Sequence, residues 1–331
     1  MQQFWHNYTT NSRRRAQILF KNIKKSKQVQ LLIRLAKAPF FFPYLYIVHF
    51  KFHFNIHSPL ETSHILLHGN SISRFGDGEF NIALRRKSIG FQPYSDGLRN
   101  DLYQVLLCKN VCIAIPHSFK STKPDKFLVK TFWWMYVTLH YKEIKAFVNK
   151  TNEHTFLDAS FSRTVTELKN KNDISNVIKN VRNLWSSKHI IMIEGAETRF
   201  GVGNDLFSQA IDVSRILAPV KDAYSKSDAI IKSVNQLLIS KKNLTGWANK
   251  NVIILIALGP TASILVKQLN SICQCIDIGH FDLQYEYLKQ GYYHSVPVTD
   301  RYDNEISGGS SVIDSNDSTY HSEIISNLSI I

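Results

Sequence analysis

Short apolar segments that alternate with longer amphipathic stretches constrain the fold of this chain most strongly. The apolar segments are rich in Val and Ile at consecutive positions, which is typical of strands buried on both faces of a parallel sheet. The five predicted strands are Val111–Ile115, His189–Glu194, Arg215–Ala218, Val252–Leu258 and Ile272–Ile278. The predicted helices cover 96–108, 124–148, 162–185, 203–212, 225–242 and 261–270. This alternation predicts an α/β fold with a mostly parallel sheet.

A compact acidic motif, Ser73-Arg-Phe-Gly-Asp-Gly-Glu-Phe80, precedes these elements. Asp77 and Glu79 are one residue apart and offer the hard oxygen ligands that Mg²⁺ and Mn²⁺ prefer. Arg74 supplies a forked donor that matches phosphate oxygens, and the glycines allow the backbone to approach a ligand closely. The motif therefore predicts a site for a divalent cation and a diphosphate. The alternative is an acidic β-turn, because Gly-Asp-Gly is ordinary turn chemistry.

Four polar clusters lie at or after the ends of predicted strands. They are Glu194-Gly-Ala-Glu197, Gly201-Val-Gly-Asn-Asp-Leu206, Gly259-Pro-Thr-Ala-Ser263, and Asp277-Ile-Gly-His-Phe-Asp282 with Glu286. In the third cluster, a glycine turn, a proline and a threonine cap predict a helix start whose free N–H groups suit an anion. Ligands of open α/β sheets bind outside the carboxyl ends of the strands. The clusters therefore predict a ligand site at that edge, although each one alone is also explained as a turn or a helix cap.

The positive charge is concentrated at the start of the chain. The net charge is +14, yet residues 1–60 hold ten Lys or Arg and no Asp or Glu, which leaves only +4 for the rest. Residues 12–37 are predicted to form a basic, partly amphipathic helix, and residues 38–54 are dense in aromatics. Pro39 and Pro43 are expected to break any helix there. The uncharged run from Ala38 to Phe50 is too short to span a bilayer, which needs about 20 apolar residues.

Three interpretations of this arm stay open. Basic residues beside an aromatic belt suit an anionic membrane surface, contacted through residues 12–54. An ordinary N-terminal helix and strand packed on the core would explain the same pattern. Basic and aromatic residues also bind nucleic acid, but no recognised nucleic-acid motif accompanies them, so no nucleic acid is expected as a partner.

The cysteines and the C-terminal segment give two further expectations, on the state of the thiols and on the order of the tail. Cys108, Cys112, Cys273 and Cys275 lie in or beside apolar runs without a standard zinc spacing. Buried, reduced thiols are expected, which favours a cytoplasmic location. The segment from about Asp303 is rich in Ser, Asn and Asp and predicts a loosely ordered tail.

With these motifs in place, the chain resembles the GT-D-type glycosyltransferases, the family first described as the domain of unknown function 1792. The matching segments are Ser71–Phe80 with Ser88–Gln92, Ile193–Gly195 with Gly201–Phe207, Ile256–Ala262, and Ile276–Tyr287. They follow the family's order over about residues 58–300. Relatives usually end the last motif in Glu-Trp, whereas Tyr287 follows Glu286 here. The charge distribution predicts a basic arm over 1–57 that lies outside the family core, the resemblance implies a GT-D domain over 58–302, and composition predicts a polar, loosely ordered tail over 303–331.

The resemblance implies a Rossmann-like α/β/α sandwich and a metal-dependent transfer of a sugar. The donor is expected to be a nucleotide-sugar, usually a UDP-sugar, and the acceptor a glycan or a lipid-linked glycan. The family's Asp-x-Glu motif maps onto Asp77 and Glu79, which would coordinate Mn²⁺ or Mg²⁺ on the donor diphosphate. The residues assigned to donor binding are Arg74, Gly76, Glu194, Asn204, Asp205, Gly259, Pro260 and Thr261.

An inverting transfer needs a group that accepts the proton of the acceptor hydroxyl. The candidates are Asp282, Glu286 and His280, with Asp282 preferred. Asp282 and Glu286 would share a face if the segment after Phe281 is helical. The non-catalytic alternative for Glu286 is a salt bridge on the helix surface. For His280 it is a helix cap or a side chain that orients a catalytic group. The sequence does not decide whether the transfer inverts or retains.

Three functions remain at this stage. The first is a glycosyltransferase on the inner face of the cell membrane that builds a surface polysaccharide or a glycoconjugate. The second is a metal-dependent nucleotide phosphohydrolase that uses the same carboxylates. The third is a non-catalytic protein that binds membrane or nucleic acid, in which Asp77 and Glu79 are turn residues.

Overall fold

Nine parallel strands form one sheet in this computed structural model, which describes residues 32, 35–151, 155–245, 247–303, 305–306, 309 and 312–330. The strands are β1 Asn55–Ile56, β2 Ile72–Arg74, β3 Cys112–Ile115, β4 Thr155–Asp158, β5 His189–Gly195, β6 Asp212–Ala218, β7 Val252–Ala257, β8 Gln274–Asp277 and β9 Ile324–Asn327. Their order across the sheet is β1-β4-β3-β2-β8-β7-β5-β6-β9. Because β2, β8, β7, β5 and β6 are neighbours, the loops that follow them meet at one edge of the sheet.

Helices connect the strands and cover both faces of the sheet. They are α1 Phe41–Phe50, α2 Pro59–Leu66, α3 Asp77–Arg85, α4 Asp96–Leu106, α5 Phe127–Val148, α6 Thr164–Glu167, α7 Lys171–Asn183, α8 Ser227–Thr245, α9 Pro260–Leu269, α10 Phe281–Lys289 and α11 Ser318–Glu323. Short 3₁₀ helices cover Ala38–Phe40, His117–Phe119, Ala159–Ser162, Ala223–Lys226 and Asn249–Asn251.

The alternation of side chains along β5 divides the core between the two faces. Ile190 and Met192 pack in a cluster with α7 residues and Trp185, whereas Ile191 and Ile193 pack in another cluster with residues of α8 and α9. All four strand residues are fully buried. Strands buried on both faces need apolar side chains at every position, which explains their uniform composition. The predicted α/β/α sandwich is confirmed.

The five predicted strands are all present, with bounds close to those expected. The single helix expected over 162–185 is wrong, because Leu168 forms an isolated bridge with Asp125 and separates α6 from α7. Asn170 then caps α7 by accepting a hydrogen bond from the Asn172 backbone N–H at 3.0 Å.

The helix expected over 203–212 is also wrong, since that segment consists of turns. Gly203 has a φ of +72°. The Asn204 side chain accepts a hydrogen bond from the Leu206 N–H at 2.9 Å. Local turn bonds of this kind compete with a helix for the same backbone groups.

The expectation that prolines prevent a helix near the N-terminus is wrong. Pro43 lies in the first turn of α1, where a backbone N–H has no partner within the helix, so the missing donor costs nothing. Tyr44 and Ile47 of α1 are buried in the core, and the Tyr44 hydroxyl donates to the Ser118 carbonyl at 2.8 Å. Most of the basic helix predicted over 12–37 lies outside the described residues.

The C-terminal segment joins the sheet. The loosely ordered tail expected from Asp303 does not hold for residues 318–327, which form α11 and the edge strand β9. β9 pairs with β6 in parallel, and the buried Arg215 of β6 donates to Glu323 Oε2 at 2.6 Å. No helix in the described ranges is long and apolar enough to cross a membrane.

Candidate active site

A cleft lies at the carboxyl ends of the central strands. The enclosed part of the cleft is small, about 80 Å³, and the space between its walls measures about 680 Å³ when the open solvent is included. The residues that line it follow β2, β5, β6, β7 and β8, as the rule for open α/β sheets predicts. Its polar lining consists mainly of Arg74, Thr198, His280, Asp282 and Tyr302.

The acidic motif joins the end of β2 to the first turn of α3. Arg74 ends β2, Gly76 is the N-cap residue, and Asp77 is the first residue of the helix. Glu79 Oε2 accepts a hydrogen bond from the Gly76 N–H at 2.8 Å. The two carboxylates therefore occupy a helix N-terminus, where the helix dipole favours negative charge, and the β-turn interpretation is wrong.

Asp77 and Glu79 differ in their surroundings. The Asp77 side chain is exposed, whereas Glu79 is partly buried. Burial, together with the neighbouring Asp277 carboxylate, raises the pKa of Glu79 to about 7. Without a nearby positive charge, ionisation of this carboxyl group is costly. A bound cation would stabilise its charged form.

Arg74 is held by Asp277 at the edge of the cleft. Its Nη2 and Nε atoms donate to Asp277 Oδ1 at 2.8 and 3.0 Å, and its Nη1 atom donates to Ser162 Oγ at 2.8 Å. Gly279 has a φ of +52°, and a Cβ built there would lie 2.1 Å from Arg74 Nη2. The guanidinium lines the cleft, but Asp277 already compensates its charge.

Asp282 is the buried acid of the cleft. Its side chain is 2% exposed, and its Oδ2 atom has no hydrogen-bond partner among the described residues. The nearest cation is Arg301, whose Nε lies 3.5 Å from that oxygen. Burial raises the pKa of Asp282 to about 7, and Arg301 opposes this shift. A carboxyl group poised near neutral pH is suited to general acid or base chemistry.

His280 lies beside Asp282 and also lines the cleft. It precedes α10 at the N-cap position, but its side chain makes no cap hydrogen bond. Burial lowers the pKa of the imidazole, so the ring is neutral at pH 7. The structure therefore excludes the interpretation of His280 as a side-chain helix cap.

Glu286 shares a helix with Asp282 but not the cleft. The segment after Phe281 is helical, which places Asp282 and Glu286 on one face of α10. Glu286 Oε1 accepts a hydrogen bond from Asn204 Nδ2 at 2.6 Å, and neither residue lines the cleft. Asp205 is exposed and bonds Lys289 at 2.8 Å. Asn204 and Asp205 thus lie outside the cleft lining, and their assignment to the donor stays a prediction.

Glu194 is fully buried at the end of β5. Its Oε1 accepts a hydrogen bond from Arg215 Nη1 at 2.6 Å, and its Oε2 accepts one from the Phe200 N–H at 2.6 Å. A buried carboxylate with both oxygens occupied holds the protein together. The expectation that Glu194 contacts the donor does not fit this arrangement.

The predicted glycine turn at 259–261 is present, but the threonine does not cap the helix. Gly259 is the N-cap residue of α9, with a φ of +53°, and Pro260 follows at the first helical position. Thr261 is buried, and its hydroxyl donates to Gln92 Oε1 at 3.3 Å. The N-terminus of α9 opens on the cleft through Gly259.

Several residues of the cleft region were not among the predicted site residues, and Asp277, Arg301 and Tyr302 are examples. Asp277 stands in the quoted cluster at the end of β8, so its position alone could have identified it. Arg301 and Tyr302 belong to a segment without periodicity, and only the folded chain brings them to Asp282 and the cleft.

Comparisons with known proteins agree with this architecture. The profile of the family described as "Glycosyltransferase GT-D fold" matches residues 72–306. The chain is 28% identical over 269 residues to the "Probable glycosyl transferase Gly" of Streptococcus gordonii, covering 80% of this chain and 37% of that protein. It is 26% identical over 270 residues to "Glycosyltransferase GlyD" of Streptococcus pneumoniae serotype 4, covering 80% of this chain and 31% of that protein. The chain thus spans about a third of the length of these relatives.

Two solved structures show the same fold. One, described as "A New Glycosyltransferase (DUF1792) from Streptococcus sanguinis", is 28% identical and superposes with a TM-score of 0.74 over 83% of this chain and 99% of that chain. Another, described by the words "The highly conserved domain of unknown function 1792 has a distinct glycosyltransferase fold", is 26% identical, with a TM-score of 0.73 over 87% and 99%. Because the family profile covers well over half of the chain, the protein belongs to the GT-D family of glycosyltransferases.

Proposed function

We propose that this protein transfers a sugar from a UDP-sugar to a glycan or a lipid-linked glycan acceptor in a metal-dependent reaction. The observation that carries the proposal is Asp282, a buried carboxylate in the cleft whose Oδ2 atom makes no hydrogen bond and has Arg301 Nε at 3.5 Å. Buried polar atoms without a hydrogen bond are few in folded proteins, and each calls for an explanation such as a catalytic role or a bound ion. Membership of the family indicates sugar transfer as the reaction in which this group would act.

Asp77 and Glu79 fit the cation that the family implies. Both offer oxygen ligands at a helix start next to Arg74; Arg74 lines the cleft, whereas Asp77 and Glu79 lie beside it and not in its lining. No cluster of three or more His, Cys, Asp or Glu suited to a metal occurs in the described part of the chain. Two carboxylates suffice for Mg²⁺ or Mn²⁺ when substrate phosphates and water complete the coordination. The bound ion would supply Lewis-acid stabilisation of the leaving diphosphate.

The roles of the side chains follow for an inverting transfer. The acceptor oxygen forms a bond to the anomeric carbon while the bond from that carbon to the diphosphate oxygen breaks. The nucleoside diphosphate leaves with the electron pair, and the acceptor proton passes to Asp282 Oδ2. The raised pKa of Asp282 makes it a stronger base than an exposed aspartate, and Arg301 holds it in place. The N-terminus of α9 at Gly259 is a second site for the diphosphate charge.

Binding of UDP with Mn²⁺ is expected to raise the melting temperature by several degrees, because a ligand specific for the folded state stabilises it. The measurement is a thermal-shift series with UDP and UDP-sugars, each with Mn²⁺ and with EDTA. A second assay follows inorganic phosphate. Phosphate release from the nucleotide without acceptor would favour the phosphohydrolase, and no shift with any nucleotide would favour a non-catalytic protein.

We infer that α1 brings the enzyme to an anionic membrane on the cytoplasmic side. Phe42, Tyr46 and Phe50 are spaced four residues apart on α1 and are 74%, 53% and 60% exposed. They form one apolar stripe, while Tyr44 and Ile47 face the core. The ten basic residues of the first 60 supply the charge that such a surface attracts. A lipid-linked acceptor would then lie close to the cleft.

The triple variant Phe42→Ser, Tyr46→Ser, Phe50→Ser is expected to bind vesicles of phosphatidylglycerol and phosphatidylcholine about tenfold more weakly, because it removes the apolar contact. Cosedimentation measures the effect. The matched control is Leu107→Ser, Leu139→Ser, Ile239→Ser, which removes residues of similar exposure (54%, 55% and 64%) that lie on other helices or, for Leu107, directly after one. Equal binding by both triple variants would contradict the inference, as would a wild-type protein that does not bind.

A further inference from the structure

The cleft has an apolar region as well as a polar one. Phe91, Pro219, Val220, Ala223 and Leu258 supply it. Phe91 is the one apolar aromatic ring among the described lining residues, and it belongs to the segment Ser88-Ile-Gly-Phe-Gln92. An apolar wall beside a few polar groups is the usual form of a small-molecule site.

Gln92 fixes the position of Phe91. Gln92 is 1% exposed, and its Nε2 donates to Asp222 Oδ1 at 2.8 Å. Its Oε1 accepts from the Tyr224 N–H and from the Thr261 hydroxyl, both at 3.3 Å. The Phe91 carbonyl accepts from the Asp222 N–H at 2.8 Å. The buried Gln92 amide thus joins the loop before α4 to the segment after β6 and to the first turn of α9. The backbone that carries the Phe91 ring is therefore fixed before any ligand binds.

The Phe91 ring lies against the start of α9. A Cβ built on Gly259 would lie 2.5 Å from Phe91 Cε2, so only glycine leaves room for the ring at that point. Gly259 is the N-cap of α9; Pro260 has no N–H and the Ala262 N–H donates to the Gly259 carbonyl at 2.9 Å, which leaves the Thr261 N–H of the first turn for an anion. An aromatic surface and an anion site are therefore adjacent, and a nucleotide combines both features in one molecule.

The geometry points to Phe91 as the residue that contacts the nucleobase of the donor, with Gln92 as the residue that positions it. This inference rests on the proposed function. An aromatic face accepts the π-face of a base, and stacking on such a ring is sequence-tolerant, so base identity is read elsewhere. The polar region with Arg74, His280 and Asp282 is left for the sugar and the acceptor.

Titration calorimetry with UDP and with inorganic pyrophosphate, both in Mn²⁺, tests the inference. Phe91→Ala is expected to weaken UDP binding about tenfold, the range measured for loss of a base–aromatic stack. Pyrophosphate binding is expected to change less than about twofold, since it has no base. Phe91→Tyr is the conservative control and is expected to keep the affinity for UDP. Gln92→Ala is expected to reproduce the UDP defect without changing pyrophosphate binding.

Each other outcome overturns the inference in a distinct way. Unchanged UDP affinity in Phe91→Ala would remove Phe91 from the base site, while nucleotide binding by the wild type would leave the proposed function intact. An equal loss of UDP and pyrophosphate affinity would mean that Phe91 shapes the phosphate site. A wild type that binds pyrophosphate but no nucleotide would overturn the nucleotide-sugar function as well.

Discussion

Replacing Asp77 by asparagine is expected to lower kcat/KM for sugar transfer about a thousandfold in saturating Mn²⁺. The amide keeps the size of the side chain but removes the charge, and metal stabilisation of a leaving group supplies several kcal/mol. Asp77 is exposed in the first turn of α3, so the loss of a favourable dipole interaction costs at most about 1 kcal/mol of stability. The variant should therefore fold, and turnover of a UDP-sugar measures the loss.

Asp173→Asn provides the matched control for this variant. Asp173 also stands in the first turn of a helix, α7, and does not line the cleft. Its replacement removes the same charge from a helix N-terminus and is expected to leave turnover within about twofold, because dipole effects of this size act on stability. Turnover by Asp77→Asn within tenfold of the wild type would show that the Asp-x-Glu pair does not hold the catalytic metal.

Asp282→Asn is expected to reduce kcat by about 10²–10⁴-fold, the usual contribution of a general base. UDP affinity is expected to stay unchanged, because the group acts on the acceptor hydroxyl. In the wild type, kcat should rise as the pH increases through about 7, since the carboxyl must lose its proton to act as a base and its pKa is raised to that range. Single-turnover rates at several pH values measure both effects.

Glu286→Gln tests the other acid of α10. Glu286 is bonded to Asn204 and lies outside the cleft lining, so its replacement is expected to keep kcat within about tenfold and to preserve the pH profile. If Glu286→Gln abolished transfer while Asp282→Asn did not, the base would be Glu286. A pH profile that remained after Asp282→Asn would assign the titrating group elsewhere, with His280 next in the cleft.

The contrast between these two acids shows where sequence reasoning stops. Asp282 and Glu286 would share a face if their segment were helical, and the structure shows that it is. Periodicity contains no information on what lies opposite a helix, and here Asn204 covers one acid while Arg301 approaches the other. The same limit explains Glu194, whose buried partner Arg215 stands on the neighbouring strand.

Two predictions of secondary structure from local sequence were also wrong. A helix was predicted over 203–212, but the Asn204 side chain bonds the backbone and favours a turn. The Ser, Asn and Asp content of the C-terminal segment drew attention away from its apolar end, Ile324-Ile-Ser-Asn-Leu-Ser-Ile-Ile331. There β6 supplies open backbone partners and Arg215 bonds Glu323, so β9 forms at the edge.

What the sequence determined by itself was the parallel α/β sheet, the family, and the edge of the sheet at which the site lies. Those properties depend on hydrophobic alternation and on short motifs, which are local along the chain. The tertiary structure alone decided that Arg74 is compensated by Asp277, that Asp282 is the acid of the cleft, and that Phe91 lies against Gly259. Those arrangements join residues that are distant in the chain, and their energies depend on burial and on partners that exist only after folding.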